Sequence, residues 1–124
     1  MTTTSVSSER IAALCQADGE FRLAARYWVA ALTVDLGDGA LSFASRAGEI
    51  LPLTVSGAAA ADITIRAPRD VWDRILAPIP PPGFNDIMPA RAFGLVVEGD
   101  EEMFCQYYPA IRRLVDLLRG EGRR

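Results

Sequence analysis

The sequence predicts an α+β fold: a mostly antiparallel five-stranded sheet covered by helices and closed by a long C-terminal helix. Three observations predict it. Apolar residues recur at helical spacing near both ends of the chain. Between residues 21 and 66, four β-type runs follow one another with turn residues between them. One further β-type run, residues 95–97, stands between two helical stretches. Helix, four strands, two helices, one strand and one long helix is the order of an α+β chain.

Each element has a local reason. In "SSERIAALCQADG" the serines cap, Glu9 sits in the first turn, Ile11, Leu14 and Cys15 share a face, and Asp18-Gly19 reads as the stop. From 21 to 36 the chain alternates, but Phe21, Leu23 and Tyr27 are odd-numbered whereas Leu32, Val34 and Leu36 are even. A bulge or bend near Trp28 to Ala30 is expected to account for the switch, since one extra residue reverses the faces. "LGDG" reads as a hairpin turn, followed by a strand over 41–45, a turn at Ala47-Gly48, a strand over 50–55, and a fourth strand carrying Ile63 and Ile65.

Pro68 opens a helix whose stripe is Val71, Trp72, Ile75 and Leu76, and Pro78 ends it. "PIPPPGF" predicts a stiff extended segment. Asn85 is expected to cap a short helix bearing Ile87 and Met88, and Gly94 to begin the last strand. The stretch "GLVVEGDEEMF" then holds four carboxylates within five residues. Asp100 reads as an N-cap, with Glu101 and Glu102 in the first turn, where the helix dipole favours negative charge. Consecutive helical residues point about 100° apart, so these acids diverge rather than converge on a substrate. Met103, Phe104, Tyr107, Ile111, Leu114, Val115 and Leu118 form the last stripe, which Pro109 should kink or restart.

At 124 residues the chain, 1–124, reads as a single domain, with 1–6 as a disordered start and 120–124 as a frayed tail. All 13 basic residues are Arg, there is no Lys or His, and the net charge is -3. That balance argues against nucleic acid as the main partner. Missing Lys removes Schiff-base and P-loop chemistry; missing His removes the Ser-His-Asp and Cys-His arrangements and most zinc and iron sites. No metal and no cofactor are therefore expected. A carboxylate-dependent reaction using Asp35, Asp38 or Asp86 survives the elimination, but each of these acids stands in a turn or cap context. Cys15 and Cys105 are expected to be buried, reduced and inert. With no hydrophobic signal core and no apolar run near the ~18 residues of a membrane span, a cytoplasmic protein without stable membrane insertion is expected.

With that order in hand, the "ADITI" strand, the Trp-bearing helix and "GLVVEGD" leading into an apolar final helix together resemble the sterol carrier protein 2 family over nearly the whole chain. "LAPIPPPGFNDIMPA" and "YYPAIRRLVDLLR" look like a bacterial subgroup whose members often accompany α/β-hydrolases. The resemblance implies a five-stranded sheet backed by helices, with an apolar tunnel that holds a sterol, fatty acid or acyl-CoA and performs no chemistry. The chain departs from the family in its Pro-rich insertion and in ending "GEGRR", without the targeting tripeptide of the peroxisomal members.

Trp72, Ile75, Phe84, Met88, Phe93, Phe104 and Tyr108 are large apolar groups on elements expected to meet over one sheet face, either as ordinary core or as the lining of a cavity. Tyr107 and Tyr108 can donate to a ligand or place a hydroxyl near water. Arg22 and Arg26, read on one face of the first strand, either hold an anionic headgroup or blunt a sheet edge. The leading function is non-catalytic binding of a hydrophobic small molecule. The alternative is an accessory module for a partner enzyme such as an α/β-hydrolase, without a ligand of its own. A second copy of the chain, as a homodimer, is the remaining partner expected.

Overall fold

The computed structural model describes residues 7–53 and 61–121. In chain order the elements are α1 (Ser8–Ala17), α2 (Gly19–Ala24), β1 (Val29–Asp35), β2 (Ala40–Arg46), β3 (Glu49–Pro52), β4 (Ile63–Arg66), α3 (Arg69–Ile75), α4 (Ile87–Ala90), a 3-10 turn (Arg91–Phe93), β5 (Val96–Gly99), α5 (Glu101–Gln106) and α6 (Tyr108–Glu121). The final part of the expected strand over 50–55, and most of "SGAAAAD" after it, lie outside the described residues.

The five strands form one sheet in the order β3-β2-β1-β4-β5. The sheet is mixed, which corrects the mostly antiparallel expectation: β4 pairs with β1 in parallel, Leu32 opposite Ile63 and Val34 opposite Ile65. Hairpin chemistry dictates only which consecutive strands are neighbours. The β1-β2-β3 meander follows from it, Ala47 and Gly48 both taking the left-handed conformation that a two-residue hairpin turn requires. After β3 the chain passes back beyond β2 to lie beside β1, and no local signal encodes that return.

A second correction concerns residues 19–24. They form a helix, not the first half of a bulged strand. Asp18 does not stop α1 only; its carboxylate also accepts from the Phe21 amide at 2.8 Å and so starts α2. Phe21, Ala25 and Trp28, all fully buried, recur at the four- and three-residue intervals of a helix face. The change of face near Trp28 is a change from helix to strand.

Alternate residues of the sheet (Leu32, Val34, Phe43, Ile63, Ile65) are buried in one core with Phe21, Trp28, Trp72, Phe104 and the α6 stripe. Ile111, Leu114, Val115 and Leu118 are buried on that stripe, each worth about 1.5–3 kcal/mol. Side-chain burial therefore outweighs any single capping bond, at about 1 kcal/mol, in holding α6. Pro109 restarts the helix as expected: α5 ends at Gln106, and Tyr107 separates it from α6. No helix among the described residues is long and apolar enough to cross a membrane.

Candidate ligand site

Three parts of the fold adjoin the Pro-rich 78–86 connection: α3, α4 with its 3-10 turn, and the α5–α6 joint. Trp72 is fully buried on α3 and its indole N–H donates to the Asp35 carbonyl at 2.8 Å, tying the helix to the end of β1. Ile75 is fully buried one turn later, and its carbonyl accepts from Arg119 Nε on α6 at 2.8 Å. Gly83, at φ 88°, lets Phe93 lie against the backbone where a Cβ would stand 2.8 Å from the ring. Phe84 is thereby turned inward, its ring 4.8 Å from that of Phe93, with the Arg74 guanidinium 5.5 Å above it.

Phe104, fully buried on α5, meets Tyr108 edge to face at 5.6 Å. The structure thus gathers Trp72, Ile75, Phe84 and Phe104 into the core with Tyr108 packed against them. Met88 and Phe93 stand at the surface instead, 37% and 53% exposed.

The polar groups here are few. The Tyr108 hydroxyl is buried beside the Asp86 carboxylate without a well-formed hydrogen bond. Burial raises the phenol well above its ordinary pKa, and the neighbouring Asp86 carboxylate raises it further, so Tyr108 is a neutral donor rather than a base. Asp86, not Asn85 as expected, caps α4: its Oδ1 accepts from the Ile87 amide at 2.8 Å. Its Oδ2 stands 3.5 Å from Arg112 Nε. An aspartate caps here because an ionised carboxylate also answers the arginine of α6.

Asp35, Asp38, Glu98, Asp100 and Glu101 are engaged as caps, turns and ion pairs. Asp100 Oδ1 accepts from the Met103 amide at 2.9 Å, as its position after the turn predicts. Glu101 accepts from Arg91 at 2.7 Å and Glu98 from Arg66 at 2.6 Å, so the acid cluster diverges. Asp35 Oδ1 accepts from the Gly37 amide at 2.9 Å, and Asp38 pairs with Arg69 at 3.4 Å. A groove of about 310 Å³ runs past Asp35, Arg66, Pro68 and Gly94; another of about 580 Å³ lies between α2 and the β2–β3 turn. Neither is lined by any of the seven apolar candidates.

Three further placements differ from expectation. Arg22 and Arg26 stand on α2 and the turn after it, not on a strand. Cys105 is exposed, because the buried residue of α5 is Phe104; Cys15 is buried as expected, its thiol pushed up to about 12 by burial and then by the Asp18 charge. Trp28, which the sequence marks only as a bend, is a core residue. Its ring stacks on Tyr107 at 5.5 Å, its indole N–H is buried without a partner, and the Tyr107 hydroxyl donates to the Tyr27 carbonyl. The helical interval from Phe21 to Trp28 is the signal that could have placed it there.

No family model matches the sequence, and no curated protein matches it. Solved structures do. The crystal structure of sterol carrier protein 2 superposes with a TM-score of 0.74 at 21% identity, covering 96% of this chain and 98% of that one. A conserved hypothetical protein from Thermus thermophilus, described as possibly a sterol carrier protein, gives 0.71 at 21% identity over 97% and 89%. The ubiquinone synthesis protein UbiJ-SCP2 gives 0.55 at 20% identity over 86% and 87%. Element order and near-complete mutual coverage agree with the likeness carried by "ADITI" and "GLVVEGD": the chain has the sterol carrier protein 2 fold.

Proposed function

We propose that this chain binds or carries a hydrophobic small molecule, such as a lipid, sterol, acyl chain or similar metabolite, and performs no chemistry on it. The observation that carries the reading is the fold shared over 96% of the chain with a protein named for sterol carriage. Trp72, Ile75, Phe84, Met88, Phe93, Phe104 and Tyr108 line the proposed site between the sheet and the C-terminal helices. Its physical logic is a large apolar surface with one neutral donor, the Tyr108 hydroxyl, to orient a ligand oxygen. Met88 and Phe93, exposed beside the Pro-rich segment, form its mouth.

A second reading, an accessory module for a partner enzyme such as an α/β-hydrolase, is favoured by one observation. Trp72, Ile75 and Phe104 are fully buried against the chain's own side chains, as in an ordinary packed core.

An environment-sensitive fatty-acid or sterol probe separates the two. Carriage requires micromolar binding, about -8 kcal/mol. Met88→Trp should then fill the mouth and abolish binding while the thermal transition stays in place. A parent protein that binds no probe, with Met88→Trp losing ~1 to 3 kcal/mol of stability, gives first place to the accessory module. Native mass spectrometry of the purified protein identifies any ligand carried through purification.

A further inference from the structure

Among the described residues, eight arginines are ion-paired with carboxylates: Arg10, Arg66, Arg69, Arg74, Arg91, Arg112, Arg113 and Arg119. Arg22, Arg26 and Arg46 are the three that are not; Arg22 and Arg26 stand on α2 and the turn after it, and Arg46 ends β2 beside the hairpin turn that packs against them. A chain with net charge -3 has carboxylates to spare, so three unpaired cations on one surface mark a place where positive charge is left for something else.

The geometry there is a trough of about 580 Å³ between α2 and the β2–β3 hairpin, lined by Arg22 and Arg26 on one side and by Gly48 and Glu49 on the other. Its shape depends on Gly48, at φ 96°: a Cβ there would stand 3.3 Å from the Arg22 carbonyl oxygen and 3.4 Å from Arg26 Cα, so glycine lets the hairpin sit close against the end of α2. Arg46 opens the same hairpin, paired with Val29 across the sheet. Interleaved with these cations are exposed apolar side chains, Leu23 at 63%, Tyr27 at 74% and Val29 at 68%.

We propose that this surface docks an extended segment of a partner protein in which acidic and apolar residues alternate. Three features select that occupant. The cations are spread over α2, its following turn and β2 rather than converging on a point. Arg26 is held along the end of α2, donating to the Leu23 carbonyl at 2.7 Å and lying 4.9 Å over the Tyr27 ring. A lone phosphate wants convergent donors, whereas a string of carboxylates wants spaced ones. The surface is also a trough between α2 and the hairpin, which an extended chain can enter and a flat anionic membrane cannot. Finally, exposed Leu, Tyr and Val beside arginines are the pairing that an acidic-apolar peptide complements.

The test titrates a fluorescein-labelled ten-residue peptide of alternating Glu and Leu into the full chain. Anisotropy is read together with the Gly19 and Gly48 amide signals by NMR, alongside a Lys-Leu peptide, inorganic phosphate and phosphatidylglycerol vesicles. The acidic peptide alone should bind and move both amides, and Arg22→Glu/Arg26→Glu should weaken it at least tenfold with an unchanged thermal transition. Should that variant fail to fold, Arg46→Glu supplies the same reading. Undiminished binding in these variants, unmoved amides, or vesicles or phosphate shifting those amides where the peptide does not, each overturns the proposal.

Discussion

Two aspartates start two short helices and reach two consecutive arginines of α6, yet the two joints differ in firmness. Asp18 accepts from the Phe21 amide, and both its oxygens are held by Arg113, at 3.0 and 2.9 Å. Asp86 caps α4 through the amide of the next residue, Ile87, and Arg112 offers it one nitrogen at 3.5 Å and is otherwise exposed. A bidentate guanidinium fixes orientation as well as distance, which a single long contact does not. The Asp18 joint locks α1, α2 and α6 together. The Asp86 joint, beside the buried Tyr108 hydroxyl and the exposed Met88, has a single long contact where Asp18 has two short ones. A firmer and a looser joint are thus built from the same two residue types, at adjacent positions of α6.

The largest contrast should appear in thiol chemistry. Cys15 lies behind the locked joint with its thiol raised to about 12, so at pH 8 its thiolate fraction is roughly 10³-fold below that of an ordinary thiol. Cys105 is exposed on α5. Iodoacetamide should label Cys105 alone in the native protein and both thiols in denaturant; prompt native labelling of Cys15 would show that the Asp18 joint is not locked.

Next in size is the aspartate pair itself. Asp18→Ala removes a cap and two charge-assisted bonds, a loss of about 3 kcal/mol, whereas Asp86→Ala should cost about 1 kcal/mol. Equal losses in urea titrations would erase the distinction. The Arg113 hydrogen bonds hold the Asp18 carboxyl below its ordinary value of 3.8. Its contribution is therefore fully present above that value and disappears as pH falls through the lower folded value. Stability measured between pH 2 and 6 should fall less steeply in Asp18→Asn than in the parent.

The smallest effect belongs to Asp100, which caps α5 without an arginine partner. Asp100→Ala should cost about 1 kcal/mol, matching Asp86 rather than Asp18. A loss near that of Asp18 would mean that capping, not the bidentate pair, makes the difference.

What could be read from residue order was whatever local chemistry decides. Asp100 after Gly99, Pro109 inside an apolar stripe, Ala47-Gly48 between strands and Trp72 after Pro68 each specify their own surroundings. What could not be read depends on distant partners. Residues 19–24 span under two helical turns, too short for a period, and the alternation of Phe21, Leu23 and Tyr27 pairs one buried side chain with two exposed ones. The parallel contact of β1 with β4 joins strands about thirty residues apart, for which neither carries a signal. In the candidate site the same limit holds. Size and apolarity mark Trp72, Phe104, Met88 and Phe93 alike, but Trp72 and Phe104 are fully buried while Met88 and Phe93 are exposed, a difference set by packing against residues distant in the chain.

Arg10 on the first turn of α1 meets Glu121 at the end of α6 with 3.0 Å between Nε and Oε2. The two extremities of the folded body are therefore neighbours, and the backbone is close to a ring. Such a body can be spliced into a surface loop of another protein, entering and leaving at one spot, or re-cut at a different position with its old ends joined. Joining α6 to α1 through a short glycine-serine linker in a circular permutant should keep the thermal transition within a few degrees of the parent. A large drop would mean that the Arg10–Glu121 contact does not persist in solution.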